Sequence, residues 1–209
     1  MVPEDQELER LEIQVLMIND TARIMLNTSG PALHMRGYRT EAGEAPIKES
    51  LAAALVLLSG WKFKEPFYDP FCGSGTIAIE ALMIARNIAP GLKRKFAFEG
   101  LKLIDWETAE NERALARKKR FDGDYKIFAS DIDPEIIAIA EANAMRAGQS
   151  GRIEFSVSDI REFVAESEDT PLRGTVVTNP PYNERLKDEH IGSLYKNMDK
   201  LFRLNPELG

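Results

Sequence analysis

The chain has one cysteine and two histidines in 209 residues. A single cysteine excludes an internal disulfide framework and fits a reducing compartment, here expected to be the cytoplasm. So few soft ligands leave little for a zinc site, and no metal is expected. No apolar run reaches the roughly 20 residues that a membrane-spanning helix needs. The longest, LAAALVLLSGW at 51–61, reads as a buried helix, and no membrane partner is expected. The opening stretch, MVPEDQELERLE, is acidic and polar, unlike a signal peptide. Basic residues are outnumbered, 27 Lys and Arg against 34 Asp and Glu, for a net charge of −7. Phosphate contact needs cations, so this balance is not that of an obvious nucleic-acid binder. Two local exceptions stand out: Lys93-Arg94-Lys95, and RALARKKR at 113–120. Solvated charge on a loop and on a helix face is the plain alternative to a nucleic-acid contact for both. Internal repeats and low-complexity segments are absent.

What is present fits one sizeable domain with a real core. EIQVLMI at 12–18 and ARIMLN at 22–27 predict two strands joined by a tight turn at Asn19-Asp20. Such a pair is marginal alone and is expected to pack on something. IKESLAAALVLLSGW predicts a helix, with Pro46 near its first turn and Gly60 at its end. Strands and helices then alternate. The strands are PFYDP (66–70), YKIFASDID (125–133), RIEFSVSD (152–159) and GTVVTNPP (174–181). The helices are 75–91, stopped by Pro90-Gly91, a polar surface insertion at 105–121, then 134–148, 160–167 and 191–204. This alternation predicts an α/β fold, a doubly wound parallel sheet with helices on both faces, preceded by the β-hairpin. With only four strands before a last helix and NPELG, the C-terminal strands of such a sheet are expected to be missing. The expected division is a linker and hairpin at 1–30 and one domain at 31–209, truncated at its C-terminus.

Four motifs carry chemistry. Gly73-Ser74-Gly75-Thr76-Ile77-Ala78 fits the G-x-G-x-x-G/A turn from strand to helix. Two features argue against a dinucleotide. The acid expected about 20 residues on comes much later, at Asp131, and Asp69 sits at the mouth of the loop, where it would repel a pyrophosphate. It suits a cofactor with an ammonium and a sulfonium, S-adenosylmethionine. No Gly-Lys-Ser/Thr follows, so a P-loop is absent. Asp131 and Asp133 stand at the tip of the next strand, where a carboxylate accepts from ribose hydroxyls and where Asp133 also suits the helix cap. Asp159 ends the third strand, placed for an adenine amino group with the Ile160 amide for a ring nitrogen, or for a cap.

VVTNPPYNERL is the most specific feature. An exocyclic amino group on a base is a poor nucleophile, because its lone pair is conjugated into the ring. The side-chain oxygen of Asn179 and the carbonyl of Pro180 can take both amino hydrogens and free that lone pair. Pro180 and Pro181 preset the backbone, and Tyr182 offers a ring for stacking on the target base, worth about 1–3 kcal/mol.

DPFCGSGT, SDIDP, SD and NPPY in this order resemble the class I S-adenosylmethionine-dependent methyltransferases of amino nitrogens, whose sheet is Rossmann-like. More closely, TSGPALHMRGYRTEAGEAPIKESLAAALVLLSGW, PFYDPFCGSGTIAIEALMIARNIAPGLKRKFAFE and TNPPYNERL resemble the bacterial 23S rRNA guanine-N2 methyltransferase family. Its members usually place a THUMP RNA-binding domain before the catalytic one, and this sequence is expected to hold the catalytic domain without it. The resemblance implies methyl transfer to N2 of a guanosine in 23S rRNA or its precursor particle. It implies that Asp69, Pro70, Phe71, Cys72, Gly73, Ser74, Gly75 and Thr76 form the cofactor loop, with Cys72 a small packed residue and not a nucleophile. Asp131, Ile132, Asp133, Asp159 and Ile160 would bind the nucleoside, Lys48 and Glu49 the methionine end, and Asn179–Tyr182 the target base. Asn183 departs from the Gly usual after the Tyr. NPPY is shared with tRNA guanine-N2, DNA adenine-N6 and protein glutamine methyltransferases, and a non-catalytic cofactor-binding module is a further alternative.

Overall fold

A computed structural model describes residues 12–39, 47–100, 105–169, 171–181 and 188–209. Strands β1 (Ile13–Ile18) and β2 (Thr21–Leu26) pair antiparallel. Their turn is Asn19-Asp20, at φ 47° and 56°. Two left-handed residues give a turn whose twist matches the strands, and Asn and Asp tolerate that conformation best after Gly. Every residue of both strands is exposed, so the packing expected of the hairpin is not found among the described residues.

The main sheet follows. Helix α1 (Glu49–Leu58) leads to β3 (Phe67–Asp69), α2 (Thr76–Ala85), a 3₁₀ turn (Ala97–Gly100) and α3 (Trp106–Lys118). Then come β4 (Ile127–Asp131), α4 (Pro134–Ala147), β5 (Glu154–Val157), α5 (Ile160–Asp169), β6 (Arg173–Val176), α6 (Asp188–Leu204) and β7 (Glu207–Leu208). Spatial order is β5-β4-β3-β6-β7, and every pair is parallel. The chain steps outward from β3 through β4 to β5, then returns to the other side of β3. The switch point therefore lies between β3 and β6, where an open parallel sheet makes its ligand crevice. Gly174, at φ 127°, permits the close approach of β6, since a Cβ there would overlap the carbonyl oxygen of Pro66.

Alternation along β3 divides the core. Phe67 faces α1 and α2, in a cluster with Ala52, Val56, Ile79, Leu82 and Ile127. Tyr68 faces the other layer, with Val164 of α5, Leu201 of α6 and Leu208, and its ring stacks on Phe128 at 5.4 Å. Nine of the ten residues of α2 are buried, as befits a helix apolar on all sides.

Three expectations are corrected. α2 ends at Ala85, before Pro90-Gly91. Asn87 takes φ 51°, its N–H bonds the Ile84 carbonyl, and the Ile88 N–H bonds the Met83 carbonyl at 2.8 Å. That is the double closure of a left-handed C-cap, and an Asn inside an apolar run hid it. NPELG is a fifth strand and not a tail. Val176 donates to the Gly209 carbonyl at 2.8 Å, and the buried Asn205 side chain accepts from the Leu172 amide at 2.6 Å. Finally, β5 and β6 are shorter than predicted, so Asp159 and Asn179 stand just beyond their strands.

Candidate active site

The loop after β3 is the centre of the crevice. Gly73 and Gly75 both take left-handed φ, 51° and 80°. At Gly75 a side chain would also meet the Ala140 Cβ at 3.0 Å and the Phe155 ring at 3.3 Å. Glycine is thus required twice over, by backbone conformation and by the approach of α4. The Cys72 amide donates to the Ser130 carbonyl at 2.9 Å, which fastens the loop to β4.

Asp69 is 1 % exposed. Its Oδ1 accepts from the Thr178 hydroxyl at 2.7 Å, while Oδ2 has no hydrogen-bond partner among the described residues. Burial pushes its carboxyl up to about 7, against the pull of the Thr178 hydroxyl and the Phe71 amide, and the nearby Asp131 adds to the rise. A buried acid with an open oxygen suits a cationic donor and opposes a phosphate. Thr178 immediately precedes Asn179, so this bond ties the NPP segment to the loop across the switch point. Asn179, Pro180 and Pro181 are all partly exposed there. Tyr182 lies outside the described residues.

The two acids at the end of β4 and the start of α4 divide their roles. Asp131 accepts from the Gly73 amide at 3.0 Å and the Asp133 amide at 3.2 Å, so it belongs to the loop. Asp133 caps α4 through the Glu135 amide at 2.8 Å, with Pro134 at the first helical position as the sequence predicts. Ile132 between them is 64 % exposed. The Ser158 amide bonds the Asp131 carbonyl at 3.0 Å and brings the end of β5 alongside. Asp159 there accepts from the Arg161 amide at 2.8 Å and from its guanidinium at 2.6 and 3.0 Å. These bonds hold its carboxyl below the usual range. The capping role is thus realised at Asp159. Ile160, buried at the first position of α5, keeps an N–H that the helix itself leaves without an acceptor.

A polar network lies behind the loop, and of its members the sequence motifs indicate only Glu49, Ser74 and Thr76. Arg39 donates to the Ile47 carbonyl at 2.7 Å and to Glu49 at 3.3 Å, and lies 3.5 Å from the Thr76 hydroxyl. It thereby fixes the start of α1 against the start of α2. Lys48, the residue before α1, is exposed, and Glu49 is buried. Deeper, Glu80 receives the Tyr38 hydroxyl at 2.9 Å and pairs with Arg36 at 3.2 Å. Burial raises Glu80 to about 7 despite both partners. Asn143, fully buried, donates to the Ser74 carbonyl at 3.0 Å. The lone acid inside TIAIEALMIA was the available signal, because an unpaired carboxylate is almost never fully buried.

Three arginines of the basic segments have protein partners. Arg94 is buried and donates to the carbonyls of Ser29, Pro31, Ala32 and Met35. Arg113 pairs with Glu99 and Arg117 with Glu110. Cys72 is buried, and burial with Asp69 and Asp131 nearby drives its thiol pKa upward, which deprives it of the thiolate a nucleophile needs.

A parallel α/β sheet with an acid-lined glycine loop at its switch point is the architecture of the class I methyltransferases. Comparison with known proteins specifies the family. The family model described as "RMKL-like, methyltransferase domain" matches residues 36–205, and the chain belongs to that family. It is 44 % identical over 195 residues to a Bacillus subtilis (strain 168) protein named "Putative RNA methyltransferase YpsC", covering 91 % of this chain and 49 % of that protein. Among solved structures, SMU.472, described as "a putative methyltransferase complexed with SAH", superposes with a TM-score of 0.85 at 38 % identity, over 95 % of this chain and 51 % of that one. A Listeria monocytogenes protein described as "a predicted N6-adenine-specific DNA methylase" gives 0.86 at 40 %, over 95 % and 52 %. The chain therefore spans about half the length of these relatives.

Proposed function

We propose that this chain is the catalytic domain of an S-adenosylmethionine-dependent RNA methyltransferase that modifies the exocyclic N2 of a guanosine in 23S rRNA. The observation that carries the proposal is the Thr178–Asp69 bond. It joins a base-binding segment to a loop whose buried acid keeps one oxygen open.

When bound, S-adenosylmethionine supplies an electrophilic methyl group on a sulfonium. The residues present fit that cofactor. Asp69 offers a carboxylate to its cationic end, with Lys48 and Glu49 on the neighbouring start of α1. Asp131, already oriented by two backbone amides, still has lone pairs for the ribose hydroxyls. Ile132 offers apolar surface to the adenine, and the Ile160 N–H a donor. Asp159 can also accept from the adenine amino group, since Arg161, its present partner, is 70 % exposed and free to turn outward. Asn179 Oδ1 and the Pro180 carbonyl accept the two amino hydrogens of the target base and hold its nitrogen pyramidal.

The name of the Bacillus relative supports RNA, and that of the Listeria relative motivates a second reading, adenine N6 in DNA. Unmodified 23S rRNA, tRNA and duplex DNA, each incubated with the chain and labelled cofactor and then digested for nucleoside mass spectrometry, separate them. N2-methylguanosine in 23S rRNA is expected. N6-methyladenine in DNA with unlabelled rRNA would overturn the proposal.

A further inference from the structure

A second concavity lies beside the loop, with a volume of about 600 Å³, within the usual span of ligand pockets. One wall is the 30–37 segment, with Pro31 and Met35 facing the space. The opposite wall is 93–97, with Lys93, Lys95 and Ala97. Arg39 and Glu49 complete the lining.

The wall is built in a particular way. The buried Arg94 guanidinium gathers the carbonyls of Ser29, Pro31, Ala32 and Met35 at 3.0, 2.6, 3.0 and 3.4 Å. Those carbonyls would repel an anion if they faced the cleft, and they are committed to Arg94. Apolar side chains and cations remain to line it, Lys95 with no protein acceptor among the described residues and Lys93 with one of its donors on the Arg146 carbonyl at 2.6 Å. Among the described residues no carboxylate lies within ion-pair distance of Lys93, Arg94 or Lys95. The one acid in the lining, Glu49, is held by Arg39. On a chain of net charge −7 this is a local reversal of sign. An apolar surface with Met35 half exposed and flanking lysines matches a nucleotide, whose base is apolar on its faces and whose phosphate is anionic.

The cleft is also coupled to the candidate site. Arg39, in its lining, lies 3.5 Å from Thr76 at one end of the cofactor loop. Asp69, at the other end, bonds the residue before Asn179. We infer that the cleft holds a nucleotide of the RNA strand flanking the target guanosine, its base on Pro31 and Met35 and its phosphate on Lys93 and Lys95. This inference rests on the RNA reading of the function.

The test uses the 209-residue chain and a fluorescein-labelled 12-nucleotide single-stranded RNA followed by anisotropy. Lys95→Glu is expected to weaken binding about tenfold at low salt. Lys95→Gln lowers the log–log salt slope by about 0.7, the loss of one phosphate contact on a single strand. Lys62→Glu, an exposed control outside the cleft lining, changes affinity less than about twofold. Binding of S-adenosylhomocysteine by calorimetry stays the same in all three. Equal RNA affinity for wild type and both Lys95 variants overturns the cleft while leaving the RNA reading intact, and equal weakening by the Lys62 control also overturns it. Failure of the wild type to bind RNA, with methyl transfer to DNA or protein instead, overturns both.

Discussion

Replacing Asp69 by Asn separates stability from function. Burial raises the carboxyl to about 7 in the folded chain, from the ordinary aspartate value of about 3.8. A raised acid holds its proton more tightly folded than unfolded, so stability falls as pH rises from about 3.8 to about 7 and is level above. Integrated over that window, the cost of the charge is about 2 kcal/mol at pH 5.5 and about 4 kcal/mol at pH 8. Asn keeps an oxygen for the Thr178 hydroxyl and carries no charge. Asp69→Asn is therefore expected to gain on the wild type by about 2 kcal/mol between pH 5.5 and pH 8. On the proposed function the same change removes a charged partner of the cofactor, worth about 1.5–3 kcal/mol, or about 10- to 150-fold in affinity. Urea unfolding at the two pH values and calorimetric titration with S-adenosylhomocysteine read the two effects. Parallel stability curves for variant and wild type would refute the burial argument, and unchanged affinity would refute the role of Asp69 in binding.

Three further outcomes follow from the geometry. Gly75→Ala forces a left-handed backbone on a Cβ that meets Ala140 at 3.0 Å; it should cost about 2 kcal/mol or more in urea unfolding and abolish cofactor binding. Glu80→Ala strands the Tyr38 hydroxyl and Arg36 in the core and should cost about 3–5 kcal/mol by the same assay, whereas Glu80→Gln, which still accepts from Tyr38, should cost less. Cys72→Ala leaves the rate of methyl transfer within about twofold in a labelled-methyl assay, because a protonated buried thiol takes no part; loss of turnover with cofactor binding intact would reverse that assignment.

The fold was legible where short-range rules act alone. Pro134 and Gly148 bracket α4 as punctuation predicts, and Asn19-Asp20 makes the hairpin turn. The sequence misled where one residue did a job usually given to another, as at Asn87, or where a two-residue strand needed β6 as a template, as in NPELG. The order of motifs at successive strand tips could be read because parallel α/β connections put every such tip on one edge. Pairings across the chain could not. Thr178 with Asp69, Arg39 with Glu49 and Thr76, and Arg94 with the four carbonyls of 29–35 join distant residues by hydrogen bonds that no local pattern encodes. Lys93-Arg94-Lys95 read as a uniform basic run, yet the structure buries its middle member and leaves the flanking lysines exposed.

On the proposed function, Asn179 activates an amino group while Asp69 and the glycine loop hold the cofactor. Asn179→Ala, measured for turnover on 23S rRNA and for S-adenosylhomocysteine affinity, tests it most directly. Loss of one well-placed acceptor is expected to lower kcat by about 10²–10³-fold, by analogy with oxyanion-hole donors, with cofactor affinity within about twofold of wild type. Unchanged turnover would contradict the account.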